Sequence, residues 1–571
     1  MPDQTSSRLT LQTRKLKEHF VFFKPGLLEN RLYLVVDDFG DMRSMMKNML
    51  MACGVREIKL ARNGNEAIEL MEQERFDVVL CDYNLGAGRD GQQVLEEAKY
   101  RHLMGLGSVF VMVTAENTRD MVMGAVEYEP DSYLTKPFNK DFLKTRLEKL
   151  IAKKHDLLAI EEAVEKRNYA KAVAILDEKI AAKPANCNEL RKIKGNILLS
   201  SDKLNEAKTL YQEVLAIREL PWARLGLGKC NYLAQDFQQA IDEFQRIKSQ
   251  NPNYTPAYDW LARSHKRANQ LSEAEDILKE AVSISPKAVP RQQLLGEIAL
   301  VNQHQDIAES AFTKAVQHGR HSVYKHPANY ANLARVTADN HDGPSALQVL
   351  KQIDKDFSED PKADFYQASA ESLIHEAMGN SDLARASLEK AAELQKSFDQ
   401  IEDSECAIEL AKTYKNFGME EECVELMKGA ILNNHTDEEL MDEIKLTISS
   451  LEMDEQTLGT IDSIREEVFA LNRKGVELAK SGQLDEAAEL LKETSTRMPA
   501  NRTVNLNIAL VLLMSMEREG PSPGMIDEIK GYLARVAKAD PNNTTLQKLY
   551  GRLKTMLSKT SDSSEQSREK S

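Results

Sequence analysis

Between residues 30 and 152 the chain alternates two hydrophobic rhythms. Continuous apolar runs, RLYLVV (31–36), EIKLA (57–61), FDVVLCD (76–82), SVFVMVT (108–114) and SYLTKPF (132–138), predict five strands. Between them, MRSMMKNMLMACG (42–54), NEAIELMEQ (65–73), GQQVLEEAKYR (91–101), RDMVMGAVEY (119–128) and KDFLKTRLEKLIAKK (140–154) carry apolar residues at helical spacing, and Gly54 closes the first of them. Strands that are apolar on both faces predict an α/β domain, a doubly wound sheet of five parallel strands covered by helices on both sides. In such a sheet the site lies outside the carboxyl ends of the strands.

From residue 153 to 555 the strand rhythm is gone and helical segments follow one another. A small residue recurs at Ala172, Ala207, Ala240, Ala274 and Ala308, at intervals of 35, 33, 34 and 34. Gly228, Ala262 and Gly296 stand twelve residues before the last three, each after a leucine, and Pro184, Pro252 and Pro286 stand twelve after Ala172, Ala240 and Ala274. Small residues let antiparallel helices approach closely, and a proline ends the second helix. The period and phasing resemble the tetratricopeptide repeat and imply an all-α solenoid. About nine copies are countable, clearest over 190–320 and irregular near 435–470; Ala346, Ala384 and Cys423 keep the middle of the pattern, and Gly475, Ala487 and Pro499 regain it. The connecting stretch 140–168 has no Pro or Gly and predicts an unbroken, stiff helix.

Hydrophobic residues make up 42% of the 571, enough for real cores. The net charge of −15 and the pI near 5.4 argue against binding nucleic acid, which relies on clustered Lys and Arg. Six cysteines without a C-x-x-C pair point to reduced thiols in a cytoplasmic protein. No run approaches the ~20 apolar residues that span a bilayer, so no membrane partner is expected. Residues 1–29 lack a secretory pattern and are expected to form a leader packed through Phe20, Val21, Phe22 and Phe23. The polar tail 556–571 predicts disorder.

The chemistry gathers in the first domain. Asp37 and Asp38 follow the first strand, Asp82 the third, Thr114 the fourth, and Lys136 the fifth, before Pro137. All converge on one sheet edge. Three carboxylates together repel unless a cation sits among them, and a hard, water-retaining ion such as Mg²⁺ suits their oxygens. A lysine and a hydroxyl beside them suit the oxygens of a phosphoryl group.

The residues VVDDFGDMR, VVLCD, VMVTAE and YLTKPF, in that order and spacing, resemble the receiver domain of bacterial two-component response regulators, and VVDDFGDMRSMMKNML is especially similar to the chemotaxis receivers. The resemblance implies a flavodoxin-like receiver over 30–152. It implies that Asp82 is the phosphoacceptor, that Asp37, Asp38, Asp82 and the backbone carbonyl of Asn84 hold Mg²⁺, and that Lys136 pairs with the phosphoryl group. Thr114 and Tyr133 would be switch residues. A sensor histidine kinase or phosphotransfer protein would be the donor. Enzymatic activity is expected only as self-phosphorylation and autodephosphorylation. One departure stands out: after Asp82 the chain reads DYNLGAGRDG, with Leu85 and Gly86 where Met and Pro are usual, and Gly91 one residue later than usual.

No basic recognition helix or phosphate-binding glycine loop follows the first domain. The output is expected to be a solenoid groove that binds a protein partner, with Lys229, Tyr232, Arg263 and Lys266 as groove residues that suit an acidic segment. Alternatives are a regulator of its own relay, as a kinase-docking protein or phosphate sink, and a gene regulator acting through nucleic acid. His318, His321 and His326 are expected to be exposed loop residues.

Overall fold

The computed structural model describes residues 26–115 and 129–568, apart from breaks at 156, 185, 340–341, 359, 399–403, 435–436, 451–454, 521 and 541–542. The Phe20–Phe23 segment and the helix expected at 119–128 lie outside the described residues.

The chain begins with β1 (Leu32–Val36), α1 (Gly40–Ala52), β2 (Glu57–Ala61), α2 (Gly64–Gln73), β3 (Val78–Asp82), α3 (Gly91–Tyr100), β4 (Val109–Thr114), β5 (Ser132–Thr135) and α4 (Lys140–His155). The strands form one parallel sheet in the order β2-β1-β3-β4-β5. Because strand side chains alternate, each apolar run supplies two layers. Tyr33, Val35, Val78, Leu80, Val111 and Val113 pack under Met46, Leu50, Leu143, Leu147 and Ile151 of α1 and α4. Leu34, Val36, Val79, Cys81, Phe110 and Met112 pack under Ala67, Ile68, Met71, Val94, Leu95 and Ala98 of α2 and α3. β1 and β3 point their carboxyl ends, and with them Asp37 and Asp82, to the same edge.

The expected unbroken connecting helix is two. α4 stops at His155 and α5 (Leu158–Glu165) begins after a turn in which Leu157 N donates to Lys154 O at 2.9 Å. The reason lies in packing. α4 buries Leu143, Leu147 and Ile151 in the sheet domain, whereas Leu157, Ile160 and Ala163 enter the helical core that follows. At 3.6 residues per turn, Ile151 and Leu157 on one continuous helix would point about 120° apart.

The helices α6 (Tyr169–Ala181), α7 (Cys187–Ser200), α8 (Leu204–Ile217), α9 (Pro221–Leu233), α10 (Phe237–Gln250), α11 (Thr255–Arg267), α12 (Leu271–Ile284), α13 (Val289–Val301) and α14 (Gln305–Gly319) pack as antiparallel pairs. Ala172, Ala207, Ala240, Ala274 and Ala308 are fully buried at the pair contacts. A Cβ added at Gly228 would lie 2.4 Å from the Phe244 ring, so the glycine admits the aromatic residue of the facing helix. Residues 1–325 form one compact unit and 326–571 another. In the second, Ala346, Ala384, Cys423 and Ala487 are fully buried in the same way. The register lost in the sequence near 435–470 coincides with a helix of 26 residues, Glu455–Lys480. The final helix, Thr544–Arg568, runs through most of the tail expected to be disordered. Leu546, Leu549 and Leu553 are buried, and extension from a packed helix avoids the cost of nucleation.

No disulfide joins the six cysteines. Among the described residues no helix is long and apolar enough to cross a membrane.

Candidate functional site

Asp37, Asp38 and Asp82 each present an oxygen within 4.8 Å of the others at the carboxyl edge of the sheet. Asp37 is fully buried; its Oδ1 accepts from Phe39 N at 2.9 Å and its Oδ2 from Lys136 Nζ at 2.8 Å. Lys136 Nζ also lies 3.0 Å from Asp82 Oδ1. Asp38 is exposed, at the mouth of the cluster. Burial raises the Asp82 pKa above its usual range, Lys136 opposes this, and Asp37 and Asp38 add to the rise. Burial would lower the Lys136 pKa, but the two carboxylates gripping it raise it on balance. Among the described residues three carboxylates face Lys136, with Arg43 Nη1 donating to the Asp37 carbonyl at 2.6 Å, which still leaves an excess of negative charge in a partly desolvated pocket. That donor set, all hard oxygens, fits a divalent cation.

Thr114, at the end of β4, is buried, and its carbonyl accepts from Lys136 N at 2.7 Å. Tyr133, on β5, packs half-buried against the layer containing Val79 and Met112, and burial pushes its pKa up to about 12. Asn84 turns its side-chain oxygen toward Gly86 N at 3.3 Å.

The unusual loop after Asp82 has a structural account. Leu85 is buried and takes an anchoring place in the α2–α3 layer. Gly91 N donates to Tyr83 O at 2.9 Å, and a Cβ at Gly91 would lie 2.1 Å from Asp82 O, so the loop closes tightly on the strand that it leaves. Asp90 then caps α3, exchanging hydrogen bonds with Gln93.

A family profile described as the response regulator receiver domain matches residues 33–148, and tetratricopeptide repeat profiles match 198–259, 233–298 and 370–398. The chain is 33% identical over 121 residues to the chemotaxis protein CheY of Pseudomonas aeruginosa, covering 20% of this chain and 93% of that one. The chain belongs to the response-regulator receiver family. It is also 32% identical over 128 residues to CheY-3 of Vibrio cholerae, covering 22% of this chain and 94% of that one. The solved structure of CheY4 of Vibrio cholerae aligns at 25% identity over 21% of this chain and 98% of that one, with a TM-score of 0.20. The matching profiles and the CheY relatives show a CheY-like receiver followed by tetratricopeptide repeats.

The four expected groove residues divide. Lys229 Nζ lies 4.8 Å and the Arg263 guanidinium 5.4 Å from the Trp260 ring centroid, so both cations sit over one aromatic floor. Tyr232 is not a groove residue. It is buried, edge-on to Phe237 and Trp260 at 5.6 and 5.2 Å, because a bulky ring between two helices finds more apolar contact than at their surface. Lys266 occupies the last turn of α11, where a cation suits the helix dipole.

The histidine-bearing segment is not merely an exposed loop. His318 and His321 line a cavity of about 210 Å³ with Gly88, Asp90 and Glu96 of the receiver. Ser322, which is buried, donates to Glu96 Oε2 at 2.6 Å, Gln93 Nε2 donates to His318 O at 3.3 Å, and Tyr100 meets Tyr324 edge-on at 5.3 Å. Sequence reasoning missed this seam, since contacts over more than 220 positions leave no periodic trace. His326, in the second compact unit, packs edge-on to Tyr366 at 5.4 Å.

Proposed function

We propose that the protein is a phosphorylation-controlled interaction protein, with Asp82 as the phosphoacceptor and the repeats as the output. The observation that carries this reading is the joint placement of Lys136 within hydrogen-bonding distance of Asp37 and Asp82, with Asp38 beside them. In the reaction, an Asp82 oxygen forms an O–P bond as the donor's N–P bond breaks and the donor imidazole of a histidine kinase or phosphotransfer protein leaves. Lys136 is placed to hold a phosphoryl oxygen as charge builds there. Asp37, Asp38 and Asp82, with the Asn84 carbonyl, would hold Mg²⁺, which when bound neutralises charge between the carboxylates and the incoming phosphoryl group. The Thr114 hydroxyl and the Tyr133 ring would be the groups that respond. The acidic chain and the tetratricopeptide repeats support a protein partner over nucleic acid as the output.

The test is labelling of the full chain with ³²P-acetyl phosphate and Mg²⁺. Hydroxylamine-sensitive label is expected on the natural chain and none on Asp82→Asn. Equal label on both would sink the reading.

A further inference from the structure

The loop between β3 and α3, where the chain departs from the usual receiver pattern, is fastened at two points. Leu85, buried in the α2–α3 layer, is the first. Arg89 is the second, and it holds both helices. Its Nη1 donates to Asn65 Oδ1 on α2, and its Nε lies 2.7 Å from Glu97 Oε2 on α3. Glu97 is buried, and a buried carboxylate persists only when paired. A Cβ added at Gly64, the first residue of α2, would lie 2.6 Å from Arg89 Cβ and 2.8 Å from Arg89 O. Gly64 therefore lets the loop backbone rest directly on the start of α2.

Only Gly86, Ala87 and Gly88 bridge the two anchors. Gly86 and Gly88 take positive φ, 73° and 105°. Glycine moves freely in that region, so the bridge has little stiffness of its own and its path is set by what holds its ends. That path passes the acidic cluster. A Cβ added at Gly86 would lie 3.3 Å from Asp38 Oδ2, and Gly86 N donates to Asn84 Oδ1 at 3.3 Å. Asp38 thus has the loop backbone as its neighbour at the mouth of the site. Asn84, whose carbonyl is the fourth expected cation ligand, is the residue just before the first anchor. Asp37 is held differently, by Phe39 N and Lys136, and Asp82 by its place at the end of β3. Two of the four expected ligands therefore depend on the loop.

We propose that Arg89 is a positioning residue for the divalent cation. By fastening the loop to α2 and α3, it keeps Asp38 and the Asn84 carbonyl arranged before the cation arrives. It acts through the loop and not by contact with the carboxylates. This rests on the reading of the Asp82 site as a cation-holding phosphoacceptor site. Replacing a group that orients metal ligands from outside typically weakens metal binding about 10- to 100-fold.

The experiment titrates the full chain with Mn²⁺ and reads the free ion by electron paramagnetic resonance. The natural chain is expected to take up Mn²⁺, and Asp38→Asn to bind it much more weakly. Arg89→Ala should weaken binding about tenfold or more. Arg89→Lys keeps a charge for Glu97 but lacks the planar fork that reaches Asn65 as well, so it should lose less. Arg101→Ala is the control. Arg101 Nη1 lies 3.0 Å from Glu97 Oε1, so this variant takes a partner from the same carboxylate away from the loop, and Mn²⁺ affinity should not change. Thermal unfolding in EDTA checks the fold. If Arg89→Ala does not fold, Asn65→Ala, at an exposed position, removes the other half of the fastening and should give a smaller loss. Equal Mn²⁺ affinity in the natural chain and the loop variants, with Asp38→Asn weakened, overturns the role of Arg89 and leaves the cation site standing. A loss in Arg101→Ala as large as in Arg89→Ala overturns it too, since the effect would then belong to α3 and not to the loop. If Asp38→Asn binds Mn²⁺ as the natural chain does, the cation lies elsewhere and the role of Arg89 falls. Labelling of Asp82 by acetyl phosphate then decides the phosphoacceptor reading separately.

Discussion

Lys136 Nζ lies 3.0 Å from Asp82 Oδ1, and the lysine is the cation that makes this carboxylate cluster tolerable. Both side chains are largely buried, with relative exposures of 14% and 9%. Truncating one partner of a buried pair leaves the other uncompensated and costs about 3–5 kcal/mol. Lys136→Ala is therefore expected to destabilise the first compact unit strongly in the absence of divalent cation. Mg²⁺ should restore part of the loss, because it can take over the compensation of Asp37 and Asp82. Urea unfolding with Mg²⁺ and with EDTA measures this. An equal deficit in both would show that the carboxylates do not take the ion.

Phe244 occupies the space that a side chain at Gly228 would need, 2.4 Å from an added Cβ. Gly228→Ala should cost about 1–3 kcal/mol, the usual penalty of overpacking. Phe244→Leu in the same chain should recover part of it. Gly429, also within a helix, has nothing within 4 Å of an added Cβ, so Gly429→Ala should stabilise by up to about 1 kcal/mol. Thermal unfolding of the two single variants should therefore shift in opposite directions. A loss at Gly429 as large as at Gly228 would mean that close approach is not what Gly228 provides.

The sheet was legible because five apolar runs and the helices between them are local patterns, and the site because a parallel sheet brings strand ends together whatever their separation in the chain. The repeats were legible through buried Ala207 and Ala240 and through Gly228, whose size is dictated by a neighbour about sixteen residues away. Less visible was the turn inside each repeat. Arg167, Asp202, Gln235, Asn269 and Gln303 all take positive φ, between 53° and 62°, five residues before the repeat alanine. Sequence reasoning expects glycine there, and only the later copies have it, at Gly379, Gly418 and Gly482. The α3 seam was illegible because its partners lie more than 220 positions apart, and the break after α4 because it is settled by which of two cores a residue enters.

Those turns carry a prediction of their own. The left-handed conformation costs a residue with a Cβ roughly 1 kcal/mol relative to glycine. Gln303→Gly, at φ 62°, should stabilise its unit by about that amount, and Gly482→Ala, at φ 85°, should destabilise the other by a similar amount. Differential scanning calorimetry reads both. If Gln303→Gly destabilises, its side chain supplies something at that turn that outweighs the backbone strain.

Glu275 joins two successive repeats. It is almost wholly buried on α12, and it accepts from Asn302 Nδ2 at 2.7 Å, from His304 Nδ1 at 2.9 Å and from Lys279 Nζ at 3.2 Å. Burial alone would raise its pKa, but these donors hold it below the usual 4.5. A carboxyl group with a depressed folded pKa binds its proton more readily in the unfolded chain. Its contribution to stability is therefore complete above about pH 4.5 and lost as the pH falls through the folded value. Glu275→Gln should cost about 1–3 kcal/mol at neutral pH, the range for charge-assisted hydrogen bonds and the groups they leave unpaired. The gap between the natural chain and the variant should narrow below about pH 4.5. Urea unfolding of both chains from about pH 7 down to about pH 3 gives that gap directly. A gap that stays constant across the range would mean that the three donors act on shape alone and not on the charge of Glu275.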